Sequence, residues 1–228
     1  QAIQTYVRMK TRYAADILID VDVQAVAQAD IAAAIDQANN DPAVQGIILQ
    51  LPIDDVSQTE KLCQLIAPEK DVDGLGASSV YPSATAQAID WLLAGYNIEL
   101  SDKQIAIVGR GKLVGAPLEK MWQQRGLNVQ VYDKTNPATA DSLQKCNVIV
   151  TATGVPHLIT SEMIAPETVV VDAGTASEGG VLVGDVDDAV RQRSDITITP
   201  QKGGVGPLTY AVLFDHLIEA CLRQVGKL

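Results

Sequence analysis

Apolar and polar positions recur along this chain with two different rhythms, and the change between them marks its organisation. Over residues 6–19, apolar side chains return every three or four positions among several alanines, which predicts a helix. A second Ala-rich stretch at 30–39 predicts another, with Asp30 as its N-cap. Asn39-Asn40-Asp41-Pro42 reads as a turn. The run V-Q-G-I-I-L-Q-L at 44–51, stopped by Pro52, predicts a buried strand. A short helix at 59–66, a charged loop at 68–74 and a helix at 84–93 closed by Gly95 complete the first half.

A regular alternation then takes over. Short β-rich runs at 105–108, 129–132, 148–152, 169–172 and 196–198 predict strands, with a helix at 117–125 and a last amphipathic helix at 208–222. Strands alternating with helices imply an α/β fold of parallel βαβ units in a doubly wound sheet. A boundary near 94–103 divides an N-terminal lobe, 1–94, from a Rossmann-type domain, 95–206, leaving a C-terminal helix, 207–226.

Composition narrows the function classes. Aromatics are only 4% of the chain and small aliphatics dominate, which suits buried parallel strands under Ala-rich helices. With 17 Lys and Arg against 28 Asp and Glu, the net charge of −11 argues against nucleic acid as a partner. No run approaches the roughly 20 apolar residues of a membrane helix, and the first residues lack the order of a signal peptide. A cytoplasmic protein with no membrane partner is the expectation. Cys63, Cys146 and Cys221 are widely spaced and match no metal-ligand pattern, so they read as buried, inert thiols and no metal site is expected.

The sharpest candidate chemistry lies in I-A-I-V-G-R-G-K-L-V-G-A-P-L-E-K, which begins at Ile105. Gly109, Gly111 and Gly115 would let the backbone turn tightly and approach a ligand, and the following helix would offer unpaired N–H groups and its positive end to a pyrophosphate. A plain tight turn is the other reading, since G-x-G-x-x-x-G alone is weak evidence. Asp133 follows the next strand, where a dinucleotide fold hydrogen-bonds the adenosine ribose; it could equally be a solvated turn residue. Ala152-Thr153-Gly154-Val155-Pro156 and Asp172-Ala173-Gly174-Thr175 also follow strands, where such folds bind ligands. In the first half, Tyr6 and Lys10 share one helical face, and Lys70-Asp71-Val72-Asp73-Gly74 forms a cluster. Taken singly, these two read as a solvated helix face and a charged loop.

Taken in order, Y-V-R-M-K, V-Q-G-I-I-L-Q-L-P, P-E-K-D-V-D-G, I-V-G-R-G-K-L-V-G-A-P, A-T-G-V-P, V-V-V-D-A-G-T, V-G-D-V-D and T-P-Q-K-G-G-V-G-P-L-T resemble the motif series of the bifunctional methylenetetrahydrofolate dehydrogenase/cyclohydrolases. The resemblance runs from Tyr6 to the C-terminal helix. It implies an N-terminal α/β lobe, a nucleotide domain, a last helix returning to the first lobe, and folate in the cleft between lobes. It implies oxidation of 5,10-methylenetetrahydrofolate with a nicotinamide cofactor and hydrolysis of the methenyl product to 10-formyltetrahydrofolate. A dehydrogenase-only member and a non-catalytic binding paralogue are the alternatives. By motif position Lys10 is the catalytic lysine, Tyr6 lies against the pterin, Gln50 lies near the lysine, and Asp73 holds the pterin's polar edge. Gly204 and Pro207 would line the folate cleft. Gly109, Arg110, Gly111, Lys112, Gly115, Asp133, Thr153, Gly154 and Thr175 would bind the cofactor. Asp133 and Gly111 favour NAD over NADP, against Arg110, Lys112 and Lys134. A homodimer follows from the resemblance alone. The sequence departs from the family at Ile3, where Ser is usual, at Gly111 in place of Ser, and at Pro82-Ser83-Ala84-Thr85 and Pro200-Gln201-Lys202-Gly203-Gly204. The helix and strand with which the family begins have no counterpart in this sequence.

Overall fold

Four β-rich runs of four residues each build the sheet of the second half, and two of them, 105–108 and 148–151, are buried throughout. The computed structural model describes residues 2–178 and 181–227. By internal packing the chain divides into two compact units, 1–84 with 210–228, and 85–209.

The first unit opens with α1, Ala2–Asp16, one turn earlier at each end than its apolar pattern suggests. It stops because Leu18 takes a positive φ, and the N–H groups of Ile17 and Ile19 both return to the carbonyl of Ala14. Helix α2, Ile31–Asn40, is entered through a 3-10 turn at Gln28–Asp30. The Asp30 side chain makes no capping bond there, so the expected N-cap is corrected: Asp30 already has helical dihedrals, unlike a capping residue. Ile31 and Ile35 of α2 pack on Leu62 and Ile66, with Ile47, Leu49 and Ile53 half-buried against them. Leu62 belongs to α3, Thr59–Cys63.

The strand expected at 44–51 does not form a ladder. Ile47 makes a single parallel bridge to Asp71, and its N–H donates to the Lys70 carbonyl at 2.7 Å. A strand needs a neighbour along its length; among the described residues this segment has one only at that point, so its residues stay half-buried.

Helix α4, Ala84–Gly95, runs through its glycine. The left-handed closing residue is Asn97 instead of Gly95, with the Ile98 N–H returning to Leu93. Strands β1 (Ile105–Val108), β2 (Val129–Tyr132), β3 (Val148–Thr151) and β4 (Val169–Asp172) follow, interleaved with α5 (Gly115–Gln124) and α6 (Ala140–Leu143). A hairpin of β5 (Ala176–Glu178) and β6 (Val181–Val183), then α7 (Asp188–Arg191) and β7 (Thr197–Ile198), complete the second unit's sheets. The main sheet is wholly parallel with order β2-β1-β3-β4-β7, so the strand order reverses between β1 and β3. Every residue of β1 and β3 is buried, as expected of central strands covered on both faces. Each fully buried Ile of this pair contributes about 1.5–3 kcal/mol by leaving water. Helix α5 is fixed to α4 through Asp90, which accepts the Trp122 indole N–H at 2.9 Å and pairs with Arg125.

The last helix, α8, spans Val205–Gln224. By length and hydropathy it could cross a membrane, which corrects the expectation that no segment would. Its apolar content serves a core: Val212, Leu213, Phe214 and Ala220 are buried with His216, and Phe214 stacks on Tyr13 of α1.

Candidate active site

In the first unit, the 3.6-residue period of α1 puts Tyr6 and Lys10 one turn apart on one face, both half-buried. Lys10 Nζ donates to Gln50 Oε1 at 3.2 Å, while Gln50 Nε2 donates to the carbonyl of Leu51 at 2.9 Å. The second bond fixes which end of the amide faces the lysine. Burial pushes the Lys10 ammonium below its ordinary pKa, and the charge of Asp73 draws it partly back. Burial likewise pushes the Asp73 carboxyl up, with Lys10 opposing and Asp71 adding to the rise. The structure thus brings Lys10, Gln50 and Asp73 into one electrostatic cluster, and the solvated-face reading of this helix is corrected.

The loop carrying Asp73 is built from within. Lys70, only 6% exposed, donates to the carbonyls of Ala38 (3.0 Å), Asn39 (2.8 Å) and Asp41 (2.8 Å) at the end of α2. Those carbonyls lie where a helix leaves its acceptors unpaired and where a cation is favoured. Asp71, also buried, accepts the N–H groups of Gly74 at 3.2 Å and Gly76 at 2.7 Å. His216 Nδ1 lies 2.8 Å from the Val72 carbonyl, and the ring stacks on Tyr81. Burial holds His216 below its ordinary pKa, so the neutral ring donates from Nδ1. The reading of 68–74 as a solvated charged loop is therefore corrected: Lys70 and Asp71 are scaffold. Sequence reasoning missed both because a lysine cap on a distant helix leaves no local signal. Cys63 lies nearby, its thiol pushed up to about 11 by burial and by Asp71 and Asp73, hence inert at neutral pH.

In the second unit, register aligns the candidate cofactor residues along one sheet edge. Val108 pairs with Tyr132 and with Thr151, and Thr151 with Asp172. Gly109, Asp133, Ala152 and Ala173 therefore stand one step beyond the strands at their carboxyl ends. Gly109 takes a positive φ. A Cβ there would strike the Ala152 carbonyl, and a Cβ on Gly115 would overlap the Gly109 carbonyl, so two of the three glycines are required by close backbone packing. A Cβ on Gly111 would meet only the Ala152 carbonyl oxygen, at an ordinary contact distance of 3.9 Å, and Gly111 has no positive φ. The expectation of unpaired N–H groups on α5 needs correction. The Ala116 N–H is taken by Gly111, the Leu118 N–H by Val114, and Pro117 has none. What α5 offers an anion is its positive end, with the 109–115 loop in front of it.

Arg110 does not stand alone. Its Nε lies 2.7 Å from Glu119 Oε2 and its Nη2 3.3 Å from Oε1, and the Glu119 side chain is 13% exposed. Asp133 Oδ1 accepts from the Thr135 hydroxyl and N–H, each at 2.7 Å, and from the Asn136 N–H at 3.0 Å. The Thr135 bonds lead in holding its carboxyl below the usual range, so it stays ionised. Lys112 lies exposed in the loop before α5. Thr153 and Gly154 follow β3, Gly154 with a positive φ, and Thr175 follows β4. Gly204 and Pro207 stand at the start of α8, within 85–209. No cluster of metal-ligating side chains occurs among the described residues.

Residues 1–73 match the family description "Tetrahydrofolate dehydrogenase/cyclohydrolase, catalytic domain", and residues 83–225 match the corresponding "NAD(P)-binding domain". The chain is 35% identical to the bifunctional protein FolD of Lactobacillus helveticus, over 98% of this chain and 84% of that protein. Its fold is similar to the bifunctional methylenetetrahydrofolate dehydrogenase/cyclohydrolase FolD from Campylobacter jejuni, with TM-score 0.88 and 31% identity over 97% of this chain and 84% of that one. It is also similar to the Trypanosoma brucei enzyme solved with NADP and an inhibitor, with TM-score 0.89 and 29% identity over 99% and 84%.

Proposed function

From the membership of this chain in the tetrahydrofolate dehydrogenase/cyclohydrolase family, we infer how its residues divide the family's two reactions. The enzyme oxidises 5,10-methylenetetrahydrofolate to the methenyl cation with a nicotinamide cofactor and hydrolyses that cation to 10-formyltetrahydrofolate. When bound, the nicotinamide accepts the hydride that leaves the methylene carbon.

In the hydrolysis, water adds to the methenyl carbon, the bond from that carbon to N5 breaks, and one net proton is released. Lys10 is the proposed proton carrier. The Lys10–Gln50 bond supports this role most strongly, because it aims a desolvated amine whose neutral form is favoured by burial. Tyr6, one turn earlier, is suited to lie along the pterin, and Asp73 to pair with its amino-pyrimidinone edge. Gly204 and Pro207 are proposed to line the folate site. On the nucleotide side, Gly109, Arg110, Gly111, Lys112 and Gly115 would hold the pyrophosphate. Asp133 would hold the adenosine ribose, and Thr153, Gly154 and Thr175 the nicotinamide half. The close-packed Gly109–Gly115 turn beside the end of a ten-residue helix fits such a group.

NAD is the proposed cofactor in preference to NADP. Asp133 stays ionised at the end of β2, and Arg110, the cation best suited to a 2′-phosphate, is paired with Glu119. A cytoplasmic homodimer acting on free folates, apart from nucleic acid and membranes, completes the reading; the net charge of −11 supports the exclusion of nucleic acid.

The roles are tested by supplying methenyltetrahydrofolate directly to the Lys10→Met protein. Hydrolysis is expected to fall by at least about a hundredfold, the scale of general acid–base catalysis, with cofactor binding unchanged. Hydrolysis at the parent rate would remove Lys10 from the mechanism.

A further inference from the structure

The second unit buries two carboxylates at the edge of its sheet beside one guanidinium. Asp172, its side chain 3% exposed, ends β4; Asp185 follows β6 and is fully buried. Asp172 Oδ1 accepts the N–H groups of Gly174 and Asp185, both at 3.1 Å, and the Thr151 hydroxyl at 3.2 Å. Its Oδ2 accepts the Val186 N–H at 3.2 Å and pairs with Arg191. Arg191 also donates to the Thr199 carbonyl at 3.0 Å, and the Asp172 N–H donates to the Thr199 hydroxyl at 3.0 Å. Asp185 Oδ2 accepts a single backbone bond, the Thr153 N–H at 2.6 Å.

Two glycines make this arrangement possible, each serving the other motif's acid. A Cβ on Gly174, in V-V-V-D-A-G-T, would fall on the Asp185 carboxylate, and a Cβ on Gly184, in V-G-D-V-D, would fall on that of Asp172. The two motifs are thus halves of one buried joint, which explains why each carries both an acid and a glycine.

Asp172 and Arg191 compensate each other, which leaves Asp185 as the group without a charge partner. Its Oδ1 has no hydrogen bond among the described residues. Burial pushes its carboxyl up, against the Thr153 N–H and the hydroxyls of Thr153 and Thr151, and the Asp172 charge adds to the rise. For stability alone this is a poor choice, because a buried carboxylate with an unsatisfied oxygen costs more than a neutral acceptor making the same bond. What the cost secures is the placement of Thr153, held through its peptide N–H and its hydroxyl, at the start of the turn after β3.

We propose that Asp185, locked by the Asp172–Arg191 pair, is a positioning residue that fixes the Thr153–Gly154 turn for the nicotinamide half of the dinucleotide. The strand order reverses between β1 and β3, so a dinucleotide lying across that point has its adenosine on the β2 side and its other half at the ends of β3 and β4. Thr153 follows β3, and Gly174 and Thr175 follow β4, so the joint braces the loops on the nicotinamide side and leaves the β2 side untouched. The inference rests on the nicotinamide-cofactor reading above.

The test is direct binding, measured by calorimetry, of NAD and of ADP-ribose, which lacks only the nicotinamide. Asp185→Ala is expected to weaken NAD at least tenfold and ADP-ribose less than threefold, with Asp185→Asn restoring NAD binding to within about threefold by keeping an acceptor for Thr153. If Asp185→Ala fails to fold, Asp185→Ser, too short to reach the same N–H, carries the same expectation. Equal loss of both ligands, or no loss of either, would overturn the positioning role. Failure of the parent protein to bind either ligand would instead overturn the cofactor reading on which it rests.

Discussion

Replacing Lys70 by Met keeps the stem of the side chain and removes only the ammonium that closes α2. Three carbonyls, those of Ala38, Asn39 and Asp41, then lose a charged donor at 2.8–3.0 Å. Hydrogen bonds to charged groups are worth about 1.5–3 kcal/mol each, so simple addition would give roughly 4.5–9 kcal/mol. Water can reach the released carbonyls in part, and the uncompensated case resembles breaking a buried ion pair, which sets the net loss at about 3–5 kcal/mol. That is a large share of the roughly 5–15 kcal/mol by which a domain is stable. For a chain of this size it corresponds to a fall in Tm of about 6–20 °C. Urea unfolding followed by circular dichroism measures it, the midpoint moving down with little change in slope. Because the Lys70 carbonyl also receives the Ile47 N–H and the residue leads into Asp71 and Asp73, folate binding should weaken in the same variant. A loss below about 1 kcal/mol would show that the three bonds are exchanged for water at little cost and would refute the reasoning.

Other predictions follow from the same geometry. Asp73→Ala should weaken folate binding by about tenfold to a hundredfold, the worth of one charge-assisted pair, and leave NAD binding nearly unchanged; equal loss of both ligands would contradict it. Lys10 is held below its ordinary pKa, so between its folded and unfolded values the unfolded chain binds more protons and stability rises with pH. Comparing urea midpoints of the parent and Lys10→Met as pH climbs toward about 10.4 should show that rise in the parent and its absence in the variant; parallel curves would mean that Lys10 is not desolvated. Glu119→Gln should release Arg110 and raise kcat/KM for NADP relative to NAD by about three- to fivefold, the scale of an exposed ion pair. An unchanged ratio would remove Glu119 from cofactor choice.

How much of this was legible in the sequence depends on how local each cause is. Strands β1 and β4 fall where their apolar runs predict, because an interior parallel strand covered on both faces leaves a Val and Ile run, and the edge strand β2 falls there on its alternating V-Q-V-Y. The run at 44–51 carries the same signature, yet forms one bridge, since a ladder depends on neighbours that no single segment encodes. The four-residue helices α6 and α7 and the β5–β6 hairpin were not foreseen; they are too short to show a period and are fixed by caps such as Thr139 and Asp187. Of the candidate site, the Tyr6–Lys10 spacing was readable from helical geometry alone, whereas the Gln50 bond spans 40 residues and rested on resemblance. Lys70 read as a surface charge because charge runs are usually solvated; its partners lie about 30 residues away. The Gly174–Asp185 and Gly184–Asp172 fits were likewise invisible, although the repeated pairing of Gly with Asp in two neighbouring motifs was the signal available.

A single-turnover absorbance record gives the most direct test of whether this one chain carries both reactions. Purified protein in excess over 5,10-methylenetetrahydrofolate, mixed with NAD, should show methenyl absorbance rise and then decay to 10-formyltetrahydrofolate, while NADH absorbance rises and stays. The Lys10→Met protein should show the rise without the enzymatic decay. A parent protein that accumulates methenyltetrahydrofolate without hydrolysing it, or that reduces neither NAD nor NADP, would contradict the assignment of both steps to this chain.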